Sequence, residues 1–152
     1  MEIRILPMDR KEEFKTEEAA RKFLSTELVQ RNGKYYFRER GINVKNGYAL
    51  ILFQYGTSII AYGVLESVED DPIVDVIGGK KIQYNGYLKF FTMSIHNVAN
   101  ITLSEVQQID KRITRFSNAK WYVGKEHFNQ AYSEIYDLLL QKQAEFAQSF
   151  FE

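Results

Sequence analysis

Apolar and polar positions follow two different periods along this chain, and each change of period marks an element. After Thr16, a hydroxyl suited to capping, come Glu17 and Glu18, acids placed where a helix dipole favours them. Ala20, Phe23, Leu24 and Leu28 then recur at helical spacing, so the pattern predicts a helix over about 17–30, stopped by Asn32-Gly33. Tyr35–Arg38 reads as a short aromatic strand, followed by an Asn46-Gly47 turn. Tyr48–Gln54 and Ile59–Val68, rich in β-branched and aromatic residues, predict two strands joined by a hairpin through Tyr55-Gly56-Thr57-Ser58. Ile73–Ile77 is a short apolar strand, and Gly78-Gly79-Lys80-Lys81 reads as a flexible basic loop. Asn85-Gly86 between Tyr84 and Tyr87 is the strongest hairpin signal, joining strands over 82–84 and 87–93, the second continuing through 95–98. Thr102-Leu103-Ser104-Glu105 is a capping box opening a helix over about 103–112. Trp121–Val123 predicts a final strand. From Glu126, the set Phe128, Tyr132, Ile135, Leu139, Phe146 and Phe150 gives a long amphipathic helix over about 126–151. The expected fold class is α+β: one domain over 1–152 with a small, curved, mostly antiparallel sheet or barrel and flanking helices.

Composition adjusts this picture in three places. The chain has 152 residues, 45% of them hydrophobic, which suits one domain with a core it can bury. It contains no cysteine, which removes disulfide scaffolds, Cys-rich zinc sites and thiol catalysis, and points to a reducing cytoplasm. The apolar runs are of strand length, far below the roughly 20 residues that span a bilayer, and the amino terminus lacks a secretory apolar stretch. The aromatic count is high, with one Trp, ten Tyr and eleven Phe.

Lys+Arg and Asp+Glu are equal at 20 each, yet the charge is segregated. Residues 1–45 carry 11 basic and 8 acidic side chains, and residues 46–79 carry five acids and no base. Residues 80–125 carry eight bases and two acids, and residues 126–152 one base and five acids. A basic central block on a neutral chain can create a local positive face.

Catalytic signatures are missing. Gly78-Gly79-Lys80-Lys81 lacks the spacing of a phosphate-binding loop. His96 and His127 are the only histidines and are not spaced as metal ligands. Ser94 and His96 share a strand face without an acid to orient the imidazole. Asp70, Asp71 and Asp75 suggest a metal-dependent nuclease but lack a lysine partner, and such a run more often marks a solvated turn. The chain reads as a non-enzyme needing neither cofactor nor metal.

Residues 111–125 interleave Lys111, Arg112, Arg115, Lys120 and Lys125 with Phe116, Trp121 and Tyr122. Cations hold phosphates, aromatic faces stack on unpaired bases, and Ser117 and Asn118 offer donors and acceptors to a base edge. A second such run is Arg31, Lys34, Tyr35, Tyr36, Phe37, Arg38 and Arg40. Each aromatic taken singly is more readily a core residue, because large aromatics dominate small cores.

Gly47–Gly56 and the returning Ile59-Ile60-Ala61-Tyr62-Gly63-Val64-Leu65 together resemble the paired strands of PUA-like domains. Tyr87–Ile95, Ile101–Glu105 and Phe116-Ser117-Asn118-Ala119-Lys120-Trp121 are similar to features of the EVE and YTH branches, so the resemblance spans roughly residues 35–124. It implies a small curved barrel that binds DNA or RNA and holds a modified base in an aromatic pocket, as the specificity module of a modification-dependent restriction or RNA-modification system. On that resemblance Tyr55, Gly56 and Thr57 line the pocket mouth. Phe116, Ser117, Asn118 and Trp121 approach from the other side, with Arg115 and Lys120 at the rim and Tyr36, Arg38 and Arg40 on the second basic run. The competing expectation is a protein-interaction module acting through the acidic C-terminal helix, whose final phenylalanines dock on the domain's own sheet, close a homodimer or continue into a larger parent protein.

Overall fold

A computed structural model of the chain describes residues 2–38, 48–111, 113–116 and 128–151. The predicted Asn46-Gly47 turn and Trp121–Val123 strand lie outside them. The main sheet runs in the order β1 (Glu2–Pro7), β3 (Ala49–Tyr55), β4 (Ser58–Glu69), β7 (Gly86–Phe90), β2 (Lys34–Phe37). The β1–β3 pair is parallel and the other pairs are antiparallel. β8 (His96–Thr102) pairs with Ser58–Tyr62 on the same edge of β4 that holds β7 over Leu65–Glu69. β4 therefore forks the sheet. The path ends at β1 and β2, so among the described residues it is an open α+β sheet and not the barrel that was one expected form.

Burial on both faces explains the uninterrupted apolar run in β3. Leu50, Ile51, Leu52 and Phe53 are each 1% exposed or less. Ala49, Ile51 and Phe53 join a cluster with Ala20, Phe23, Leu24 and Leu28 from the N-terminal helix. Leu50 and Leu52 face the opposite cluster, with Val106, Ile135 and Leu139. Strand alternation thus feeds two cores from one sequence run. In β4 the order is broken: Ile60 and Ala61 both belong to the first core because the register against β8 shifts between Ile59 and Ala61.

The N-terminal helix begins as predicted, with the Thr16 hydroxyl accepting from the Ala19 N–H at 3.0 Å. It runs as α1 (Glu17–Lys22), widens into a π turn at Phe23–Glu27 and closes as α2 (Leu28–Gln30). Arg21 ties it to the fork, donating to the carbonyls of Ile60 at 3.0 Å and Val98 at 2.7 Å. On the other face, α3 (Leu103–Ile109) carries the full Thr102/Glu105 capping box, and Lys142 of α4 (Phe128–Gln148) reaches Glu105 at 2.9 Å. That bond holds the Glu105 carboxyl below its ordinary range: burial pushes it up, but hydrogen bonds from Lys142 and Thr102 outweigh this.

Two loop expectations need correction. Gly78 (φ 59°) and Gly79 (φ 81°) form a tight two-residue turn, so Lys80 and Lys81 open β6 (Lys80–Tyr84), paired with β5 (Ile73–Ile77), rather than a flexible loop. Asn85-Gly86 is not a hairpin, for β6 and β7 belong to different sheets. It is a corner. The Asn85 N–H donates to the Phe37 carbonyl at 3.0 Å, and a Cβ on Gly86 would stand 2.1 Å from the Glu69 carbonyl oxygen. Glycine is needed there for close approach, not for a positive φ. β1 was not expected from the sequence, and Thr92–Ser94 is a single 3₁₀ turn that breaks the expected 87–98 continuation.

Candidate functional site

The second basic run lies beside a cavity of about 240 Å³, walled by the 12–14 segment, the π turn, Arg31 at the end of α2, β2 with Arg38 beyond it, and β6. The segment is set by Asp9, whose carboxylate accepts from the Lys11 and Glu12 N–H groups at 2.8 and 3.1 Å. This turn delivers Glu12, Glu13 and Phe14 to the cavity. From the helix come Phe23, Glu27 and Arg31, two of them on the π turn, a widening often found at functional sites. Pleat alternation in β2 buries Tyr35 and Phe37 and leaves Tyr36 half-buried, with Arg38 exposed beyond it.

Aromatic rings and opposite charges meet at Tyr36. Its ring lies 5.5 Å from Tyr84 with planes 32° apart, and 6.3 Å from Tyr87 edge-on. The Arg31 guanidinium sits 5.2 Å over Tyr36 and 5.5 Å over Phe23, and 3.8 Å from the Asp75 carboxylate. Arg38 pairs with Glu12 at 3.1 Å. Desolvation lifts the Glu13 carboxyl above its ordinary range and Asp9 adds to it, while Arg38 and Arg31 pull it back. Burial likewise raises the Tyr84 phenol. The cavity is thus lined by aromatic rings, two guanidiniums and three carboxylates, with Arg31 paired to Asp75 and Arg38 to Glu12. Its volume is below the roughly 300–1,000 Å³ of drug-sized ligand sites, so it suits a single planar ring system.

Of the residues expected to bind, Tyr36 and Arg38 stand at this cavity. Tyr55 does not line it. Its hydroxyl donates to the Phe14 carbonyl at 2.9 Å and Arg10 lies 5.5 Å over its ring, so it braces the cavity wall from behind. Thr57 is exposed on the β3–β4 turn, and Arg115 is exposed as well. Phe116 is 5% exposed in the core beneath α4. Tyr55 packs on the opposite core, so the sheet stands between the two and they cannot share a pocket. Arg40, Ser117, Asn118, Lys120 and Trp121 lie outside the described residues.

Other candidates take structural roles. The Ser94 hydroxyl accepts from the Val64 N–H at 2.8 Å and donates to the Phe91 carbonyl at 2.6 Å, while His96 packs 5.4 Å from Tyr62. Asp75 is held by Arg31, and among the described residues no three His, Cys, Asp or Glu side chains are grouped to hold a metal ion. Among these residues no helix is long and apolar enough to cross a membrane. The C-terminal helix docks on its own sheet through Ile135 and Leu139, leaving Phe150 and Phe151 exposed at its end. Glu12, Glu13, Glu27, Ile82 and Tyr84 are not anticipated at a site, because no sequence spacing links the four separate segments that line it.

No protein-family model matches the chain, and neither a curated protein nor a solved structure gives a significant match.

Proposed function

We propose that the protein is a nucleic-acid-binding domain that holds one extruded base in the cavity at Tyr36. The observation carrying this reading is the meeting, in a space for one ring system, of the Tyr36 and Tyr84 rings with Arg31, Arg38 and the Glu12–Glu13 carboxylates. Extrusion costs a few kcal/mol, less for a mismatched, damaged or single-stranded base. Stacking returns about 1–3 kcal/mol per base, and the flanking cations supply the phosphate attraction. Carboxylates accept from the exocyclic amines of a base edge and guanidiniums donate to its carbonyl and ring-nitrogen acceptors. The resemblance to PUA-like base readers supports the same ligand class, and modified-base recognition within a restriction or RNA-modification system is its finer form.

Anisotropy titrations with labelled single-stranded, duplex, mismatched and modified oligonucleotides, at several salt concentrations, test this. We expect salt-dependent binding, weakened about tenfold by Tyr36→Ala, the low-to-middle range for one lost stack. Glu13→Gln should alter the preference among bases more than the overall affinity. Absence of salt-dependent binding to every oligonucleotide, or full affinity in Tyr36→Ala, refutes the reading.

A further inference from the structure

Among the described residues the β5–β6 hairpin has an open edge whose pattern fits itself. Its two-residue turn makes Ile77 and Lys80 a hydrogen-bonded pair, and alternation makes Asp75–Ile82 and Ile73–Tyr84 the next such pairs. The backbone N–H and C=O groups of Val74 and Val76 therefore point away from β6. In agreement, the Val76 N–H is taken up by the Asp75 carboxylate of its own chain at 2.9 Å. Among the described residues β5 has no second strand partner. Val74 and Val76 are 59% and 61% exposed on one face, and no lysine or proline interrupts the strand to blunt its edge.

We propose that β5 pairs antiparallel with β5 of a second copy about a two-fold axis at Asp75, so that Val74 lies opposite the partner's Val76. The register follows from chemistry. An axis at Val74 would set Val76 against the partner's Pro72, which has no N–H; an axis at Val76 would set Val74 against the partner's Gly78, already in the turn. With the axis at Asp75, the Val76 N–H leaves its own Asp75 carboxylate for the carbonyl of the partner's Val74, each Val74–Val76 pair exchanges both backbone hydrogen bonds, and the valines form one apolar strip. The acidic Asp70-Asp71 lead-in of each copy comes towards the basic Gly78–Lys81 turn of the other, which favours a copy of this chain over an arbitrary strand. Each Asp75 at the axis keeps its own Arg31 beside it. Ile82 and Tyr84 line the cavity from the other face of the hairpin, so the joined four-stranded sheet presents two cavities on one side. Only that last consequence depends on the proposed function.

Sedimentation equilibrium of the full chain over a wide concentration range tests the pairing. The expected result is reversible dimerisation, abolished by Val74→Pro, which removes an outward N–H and no hairpin bond. The native chain has no cysteine, so single-cysteine variants decide the register independently of whether proline disturbs the hairpin. Across a non-hydrogen-bonded pair the Cα atoms stand about 4.5 Å apart, within disulfide reach. Asp75→Cys should form an inter-chain disulfide under mild oxidation and Val74→Cys should not. A monomer at every concentration, a dimer that persists in a folded Val74→Pro, or an Asp75→Cys chain that fails to crosslink overturns the proposal.

Discussion

Gly86→Ala isolates the difference between a glycine needed for backbone conformation and one needed for space. Gly86 has no positive φ, so the added methyl brings no left-handed strain. It meets backbone instead: the Glu69 carbonyl oxygen at 2.1 Å and the Asp70 Cα at 3.1 Å, with the Phe37 ring at 2.8 Å. Neither backbone atom can swing aside as a side chain would, so relief requires β7 to move off the ends of β4 and β2. Overpacking costs typically reach about 3 kcal/mol, and this site belongs at that end of the range. For a chain of this size that is a fall of roughly 6–12 °C in Tm. Gly79→Ala is the matched control, with φ 81° and nothing within 4 Å of its Cβ, so it should cost only about 1–2 kcal/mol of left-handed strain. Urea denaturation of both variants, read by far-UV circular dichroism, gives the two costs side by side. Because the corner sets Tyr84 and Tyr87 around Tyr36, Gly86→Ala should also weaken oligonucleotide binding at temperatures where it is still folded. A Gly86→Ala chain no less stable than Gly79→Ala would refute the close-approach argument.

Arg21→Ala should lose about 2–3 kcal/mol in urea denaturation, because the Ile60 and Val98 carbonyls at the fork lose a charged donor; a loss under 0.5 kcal/mol, of the order of an ordinary surface change, would mean that water replaces it freely. Glu105 has a depressed carboxyl pKa, so its contribution is complete above the unfolded-state value of about 4.3 and is lost as pH falls through the lower folded value. Glu105→Gln should therefore destabilise near neutral pH and flatten the acid limb of stability against pH. An unchanged limb would assign that limb to other carboxylates. Thr16→Ala removes the cap on α1 and should cost about 1 kcal/mol, measured by thermal denaturation.

Local chemistry carried the elements that depend on it. The Thr16 cap, the Thr102/Glu105 capping box, the β3–β4 hairpin and the core-facing Ile135 and Leu139 of the C-terminal helix depend on residues a few positions apart, and these appear where the sequence places them, whereas Phe150 lies beyond the helix end and is exposed. Asn85-Gly86 failed as a hairpin because the same dipeptide serves either a positive-φ turn or a tight corner, and the neighbour that decides, Glu69, is distant in sequence. Gly78-Gly79 reads as loose from the sequence because its hairpin depends on Val74 and Val76 facing Gln83 and Lys81 across it. The residues of the candidate site divide in the same way. Tyr36 and Arg38 were visible as an aromatic–basic run, whereas Phe116 in an equally basic run went to the core. Composition cannot tell which face of the sheet a residue will meet.

The sequence by itself determined the α+β class, the two helical caps and the aromatic–cationic character of β2, since propensity, capping and strand period act over one or two turns of chain. Only the tertiary structure decided that β4 forks the sheet, that Tyr55 and Phe116 lie on opposite sides of it, and that Glu13, Arg31 and Tyr84 gather around Tyr36. Those outcomes depend on which surfaces exclude water together. Such burial couples residues tens of positions apart and leaves no spacing to read.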